Sequence, residues 1–195
     1  MRRLSACRTD IADLQVIGQQ SFVGLGLKQI HQILEADISC DRECADLMLF
    51  AKISFEGTPI REAACQVTVG RAKLEIDLAR PDLFEWSVYE WRPDAPGLYD
   101  VELELKRGSE IKDSVASYFG LREIRIEKGN ILLNGAPLYQ RLILDQGYWK
   151  DSHLTPPDEE ALIKDIDTVM AMGYNGVRKH QKTEDERFLY WCDVK

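Results

Sequence analysis

Five cysteines and three histidines are the residues of this 195-residue chain best suited to hold a metal ion or act as nucleophiles. The cysteines are Cys7, Cys40, Cys44, Cys65 and Cys192, an odd number at irregular spacing. Cys40 and Cys44 could begin a metal site, but no second Cys or His pair lies at ligand spacing. Cys65 and Cys192 sit in apolar patterns, and the set reads as reduced, mostly buried thiols. The acid run Asp158-Glu159-Glu160 reads as a solvated helix start, where carboxylates meet the positive end of the helix, and not as a metal site. No metal and no cofactor are expected.

Composition narrows the partners. The chain carries 25 Lys and Arg against 33 Asp and Glu, a net charge of −8. An acidic chain with no basic run is a poor match for a phosphate backbone, so nucleic acid is not an expected partner. No apolar run reaches membrane-spanning length, and none is expected to cross a membrane. Met1-Arg2-Arg3 resembles the start of a signal peptide, but Arg8, Asp10 and Asp13 interrupt any apolar core, so the chain as given reads as cytoplasmic.

The elements that must position any site fall into three stretches. Residues 1–30 are poorly defined, because Gly18, Gly24 and Gly26 break any long element. From 31 to 120 the pattern is β. The run 47–55 is apolar on both faces and reads as a strand buried on both sides. Gly57-Thr58-Pro59 turns the chain. Cys65, Val67 and Val69, then Leu74, Ile76 and Leu78, then Val101, Leu103 and Leu105 alternate with polar neighbours, and Gly70 ends the first of these three strands. About seven strands in about ninety residues predict an antiparallel β-sandwich of immunoglobulin-like size. Trp86 and Trp91 read as core or domain-interface residues.

From 121 the period changes. Lys128-Gly129-Asn130 is a hairpin turn and Asn134-Gly135 a second turn. The run 138–144 is apolar enough for a buried parallel strand. Thr155 should cap a helix with Pro156 and Pro157 in its first turn. Leu162, Ile166, Val169 and Met170 share one face of that helix, and Gly173 should close it. A second strand follows at 174–178. Thr183 to Glu186 reads as a capping box for a last helix through Phe188, Leu189 and Cys192. Strand, helix, strand and helix in this order form a βαβ unit of the kind that joins a larger parallel sheet or barrel.

Three segments together resemble glycoside hydrolase family 2, which includes β-galactosidases, β-glucuronidases and β-mannosidases. The first is Trp91-Arg92-Pro93-Asp94-Ala95-Pro96-Gly97-Leu98-Tyr99, similar to the family's W-x-P-x-x-P-x-L-Y. The second runs from Gly120-Leu121-Arg122 to Leu133-Asn134-Gly135-Ala136-Pro137, similar to GFR…LNGKP. The third comprises Asp165-Ile166, Met172-Gly173-Tyr174-Asn175-Gly176-Val177-Arg178, Asp185-Glu186-Arg187-Phe188 and Cys192-Asp193. It is similar to D-I-x-x-M-K-x-x-G-F-N-x-V-R…D-x-R-F…C-D.

The resemblance implies a β-sandwich (immunoglobulin-like) at 31–120, followed by the first βα units of an incomplete (β/α)8 TIM barrel at 121–195. Family members are retaining glycosidases in which two Glu carboxyls about 5–5.5 Å apart act as proton donor and nucleophile. The first of these lies in an Asn-Glu pair, which this chain lacks. No catalytic residue is therefore carried over, and the chain alone is expected to be inactive. The implied parent is an enzyme acting on O-glycosidic bonds of a carbohydrate. The alternative is a non-catalytic carbohydrate- or protein-binding sandwich module, with self-association through the unfinished barrel.

What the resemblance places near substrate are the ends of the two strands. Arg178 matches the Arg of N-x-V-R, which lies close to the catalytic carboxylates and could orient one of them; otherwise it forms a plain salt bridge. Asp145 could accept from sugar hydroxyls or merely cap a loop. Tyr148 or Trp149 could stack on a sugar face or pack the loop. His180 is a sugar contact or a surface loop residue. The chain departs from the family's R-G-x-N-x-H at Arg141 to Gln146 and from R-x-S-H-Y-P at Arg178 to Gln181.

Overall fold

The computed structural model describes residues 12–23, 30–40, 46–68, 71–78 and 88–195, with side chains from residue 46 onward. Cys7, Cys44, Gly24, Gly26, Val69, Gly70 and Trp86 lie outside the described residues. The chain divides into two units. One takes residues 1–89 and 97–121, the other residues 90–96 and 122–195.

The first unit is a sandwich of antiparallel strands. Its strands begin with β1 (Ala12–Val23), β2 (Ile30–Cys40), β3 (Leu47–Phe55), β4 (Thr58–Gln66) and β5 (Arg71–Asp77). After the short pair β6 (Trp91–Arg92) and β7 (Ala95–Pro96), which belongs to the second unit, come β8 (Tyr99–Arg107) and β9 (Glu110–Phe119). One sheet has the order β1-β2-β5 and the other β4-β3-β8-β9. Within 1–30, where the sequence pattern defines no element, β1 pairs with β2 through a register shift between Val16 and Gly18.

Period-two alternation builds the core. Leu47, Leu49, Ala51 and Ile53 of β3, with Val101, Leu103 and Leu105 of the neighbouring β8, join Ala72, Leu74 and Ile76 of β5 in one buried cluster. Each Val, Leu or Ile among them contributes about 1.5–3 kcal/mol on burial. The expectation that β3 is buried on both faces is corrected here. Met48, Phe50 and Ser54 are half-buried and Lys52 is exposed; on this outer face Lys106 Nζ lies 4.7 Å from the Phe50 ring centre. Tyr99, the Tyr of the first family-like segment, is 1% exposed. It stacks on Phe119 at 5.0 Å, and its hydroxyl accepts from the Tyr89 backbone N–H at 2.8 Å, so its polar end is satisfied inside the core. The turn after β3 sits at Glu56-Gly57, both at positive φ, with Thr58 and Pro59 already in β4. This two-residue left-handed turn matches strand twist better than the one expected around Pro59.

The second unit holds a small meander and a βαβ segment. The meander is β10 (Ile124–Glu127), β11 (Asn130–Leu133) and β12 (Ala136–Pro137), with Lys128-Gly129 and Asn134-Gly135 at positive φ as the turns. The βαβ segment is β13 (Leu142–Asp145), α1 (Glu159–Ala171) and β14 (Gly176–Lys179), and α2 (Glu186–Val194) follows. β13 and β14 pair in parallel, with Leu144 opposite Arg178 and Asp145 opposite Lys179. The buried parallel strand expected at 138–144 is shorter and only half-covered, with Leu142 and Leu144 at 39% and 57% exposure. Among the described residues this sheet has two strands, and its helices cover one face.

The caps also shift. Asp158, not Thr155, caps α1 by accepting from Ala161 N at 2.8 Å; Pro156 and Pro157 precede the cap. Asp185, not Thr183, caps α2 by accepting from Arg187 N at 2.9 Å. In both cases a carboxylate beside the first turn takes the free amide. Gly173 does close α1, at φ +86, with Gly173 N donating to Met170 O and Tyr174 N to Val169 O. Leu162, Ile166 and Val169 form the buried face of α1, while Met170 is 44% exposed.

Candidate functional site at the ends of two parallel strands

In a strand, successive side chains point to opposite faces, so the β13–β14 register sorts the candidate residues. Ile143, Val177, Asp145 and Lys179 share one face. Val177 packs on the cluster of Leu162, Ile166 and Phe188, and Lys179 Nζ lies 3.9 Å above the Phe188 ring. That face is the one the helices cover. Leu142, Leu144 and Arg178 share the other face, and all three are exposed.

Asp145 is engaged on the covered side. Its Oδ1 accepts from Gly147 N at 2.6 Å and its Oδ2 pairs with Lys179 Nζ. Lys179 also pairs with Glu184 at 2.6 Å, and Glu184 with Lys182 at 2.9 Å. Lys182 donates to Leu154 O at 2.9 Å. Burial works against the Lys179 ammonium, but hydrogen bonds to the Asp145 and Glu184 carboxylates outweigh it and hold its pKa above the ordinary lysine value. Burial likewise works against the Glu184 carboxylate, yet its bonds from Lys179 and Lys182 lower its pKa. Asp165 on α1 goes the other way: burial first, then the Asp145 charge, raises its carboxyl, with Lys179 opposing. The network leaves little room, since a Cβ on Gly147, at φ +67, would meet Lys182 Nζ at 2.6 Å and Glu184 Oε2 at 3.0 Å.

Arg178 stands apart on the open face, with no hydrogen-bond or ion-pair partner among the described residues. A guanidinium so placed can take a carboxylate in two parallel bonds. His180 is half-buried; its backbone N–H donates to Asp145 O at 2.9 Å, and its Nδ1 lies 3.1 Å from Gln146 Nε2. Tyr148 is 70% exposed. Trp149 is half-buried against the α1–α2 cluster and exchanges backbone hydrogen bonds with His153 at 2.6 and 3.1 Å. The register thus brings Arg178 and His180 to the strand ends on alternation-matched positions and leaves Asp145 and Trp149 in the packing.

Several family-like residues do structural work. Trp91 Nε1 donates to Asp193 O at 2.6 Å, and Arg122 reaches Asp193 Oδ1 at 2.6 Å while lying 4.6 Å over the Trp91 ring. Asn134 Nδ2 donates to Trp91 O at 3.0 Å and its Oδ1 accepts from Glu123 N at 2.9 Å. One clasp therefore gathers residues from all three motif segments. Asn175 Oδ1 accepts from Arg141 N and its Nδ2 donates to Tyr139 O, fixing the start of the parallel pair. Lys179, Lys182 and Glu184 escaped the sequence reading; the one signal was an acid ending the first strand and a lysine ending the second. Cys192 is pushed up to about 11 by burial and the Asp193 charge, so its thiol stays protonated at neutral pH and is a weak nucleophile. Among the described residues no group of three His, Cys, Asp or Glu could hold a metal, and no helix is long and apolar enough to cross a membrane.

The fold defines a class: a mostly β chain with an antiparallel sandwich and a parallel βαβ segment. Comparison with known proteins shows which family it resembles. Residues 51–122 match the sequence model of Glycosyl hydrolases family 2. The β-galactosidase of Lactococcus lactis subsp. lactis is 31% identical over 120 residues, covering 61% of this chain and 11% of the relative. That of Pectobacterium atrosepticum is 31% identical over 124 residues, with 63% and 11% coverage. The solved β-glucuronidase of Parabacteroides merdae shares the fold at a TM-score of 0.77 and 19% identity, over 94% of this chain and 22% of that one. A β-galactosidase-like structure from Bacteroides fragilis gives 0.71 at 16% identity. The resemblance to glycoside hydrolase family 2 is thus shown by sequence, and the chain spans about a tenth of the length of the curated galactosidases it matches.

Proposed function

We propose that the chain is a piece of a retaining β-glycosidase: the immunoglobulin-like sandwich and the opening βαβ unit of a catalytic (β/α)8 barrel. The observation that carries this reading is the parallel pair β13–β14, helix-covered on one face and bearing a partnerless Arg178 on the other. That asymmetry fits a barrel wall, with helices outside and substrate-side groups at the strand ends. Arg178 would orient and keep ionised a carboxylate supplied by a later strand. His180 and Tyr148 would meet the sugar, while Asp145 supports them from the covered side through Lys179 and Gly147. The substrate is a β-linked carbohydrate, and the reaction needs no cofactor.

The chain by itself should not turn over aryl β-galactosides or β-glucuronides. Measurable hydrolysis by the purified 195-residue chain, abolished by replacing one of its own carboxylates, would overturn the assignment. A binding-module reading draws on the exposed Leu142 and Leu144, which predict self-association through the open sheet face. Light scattering tests it: a strictly monomeric, folded chain contradicts that reading.

A further inference from the structure

Gln146 and His180 tie the ends of β13 and β14 together through one side-chain contact, Gln146 Nε2 to His180 Nδ1 at 3.1 Å. We propose that Gln146 is a positioning residue for His180: its amide N–H donates to Nδ1, which fixes the ring proton on Nε2 and presents a single donor at the strand ends. A neutral imidazole has one donor nitrogen and one acceptor nitrogen, and the bond made by one nitrogen decides the role of the other. With Nδ1 accepting, Nε2–H is the only donor the ring can offer a ligand.

The backbone holds this pair in place from both sides. The His180 N–H donates to Asp145 O at 2.9 Å, which extends the parallel ladder one step beyond Lys179. The Gly147 N–H donates to Asp145 Oδ1 at 2.6 Å, which bends the chain so that Gln146 projects at the turn. Lys182 and Glu184 lie close beside Gly147, where a Cβ would meet their side chains. His180 lies two residues beyond Arg178, the spacing that returns to the same face of an extended chain. A fixed N–H donor beside a guanidinium suits an oxygen acceptor such as a sugar hydroxyl. The nature of that ligand rests on the glycosidase reading; the tautomer does not.

The test is the nitrogen-15 tautomer signature of His180 in the labelled 195-residue chain, at about pH 8.5, well above the ordinary imidazole pKa of about 6.5. The chain has three histidines, and His180→Gln assigns the signal. The wild-type ring should show a bare Nδ1 and a protonated Nε2. Gln146→Glu should shift a proton onto Nδ1, since a carboxylate can only accept. Gln146→Leu should relax the ring to a mixture of the two tautomers. A wild-type ring protonated on Nδ1, or one pattern shared by wild type, Gln146→Glu and Gln146→Leu, would overturn the proposal. Gln146 is exposed, so these variants should fold, and the wild-type spectrum alone still decides the tautomer if one does not. No signal here depends on sugar hydrolysis, so a failed lock and a failed glycosidase assay are separate results.

Discussion

In the sandwich, Leu49, Ile53, Leu103 and Leu105 are at most 1% exposed, and the charged residues between them face outward. In the βαβ unit the positions reverse. Leu144 on β13 is 57% exposed, while the side chains of Lys179 and Glu184 keep only 15% and 4% exposure. The described residues of the sandwich enclose a hydrophobic interior between two sheets. The βαβ unit encloses a charge network under its helices and shows an apolar and cationic face to the outside. Covered charges and uncovered leucines are the reverse of the arrangement in the sandwich.

Substitutions on the two sides should separate them. Leu103→Ala empties a closed core and should cost about 3 kcal/mol in urea unfolding of the sandwich; Leu144→Ala on the open face should cost a small fraction of that. Equal losses would erase the contrast. Lys179→Met takes one partner from each of the Asp145 and Glu184 carboxylates, leaving Asp145 with Gly147 N and Glu184 with Lys182. It should cost on the order of 2 kcal/mol, less than a fully buried pair would, because Asp145 keeps 21% side-chain exposure. Gly147→Ala forces a left-handed residue with a Cβ into the same network and should cost more than about 1 kcal/mol. A neutral result would mean that the Lys182 side chain swings away freely.

The network also sets a pH window. Glu184 has a lowered pKa, so its contribution is present above the ordinary glutamate value of about 4.3 and is lost as pH falls through the lowered one. Lys179 has a raised pKa, so its contribution is full below the ordinary lysine value of about 10.4 and is lost as pH rises through the raised one. Asp165 is raised and so weakens the fold as pH climbs above its unfolded value of about 3.9. Asp165→Asn should therefore stabilise by a few tenths of a kcal/mol near neutrality, the smallest effect of the set. That gain should vanish below about pH 3.9 in melting curves taken across the range.

Much of this contrast was legible in the chain. The alternation at Val101, Leu103 and Leu105 and the turns at Lys128-Gly129 and Asn134-Gly135 are local patterns, and local patterns survive folding. Gly173 closed α1 as its position required. The helix starts were misread at Thr155 and Thr183 because an Asp stood a few residues nearer the first turn and won the amide. The open face of β13 was misread because apolar composition alone does not say how many neighbours a strand will find. The Lys179 network and the Trp91–Asp193 clasp were out of reach for a different reason. The first depends on the register of two strands 34 residues apart in sequence, and the second joins groups separated by 102 residues. No window along the sequence contains either.

The most direct test of the central claim is to read the coding DNA past codon 195 and assay the extended product on aryl β-galactosides and β-glucuronides. The account predicts further βα units, an Asn-Glu pair followed by a later Glu, and hydrolysis that falls sharply on Arg178→Ala while the fold persists. An extension without those carboxylates, or an extended protein that carries them and hydrolyses neither substrate, would contradict it.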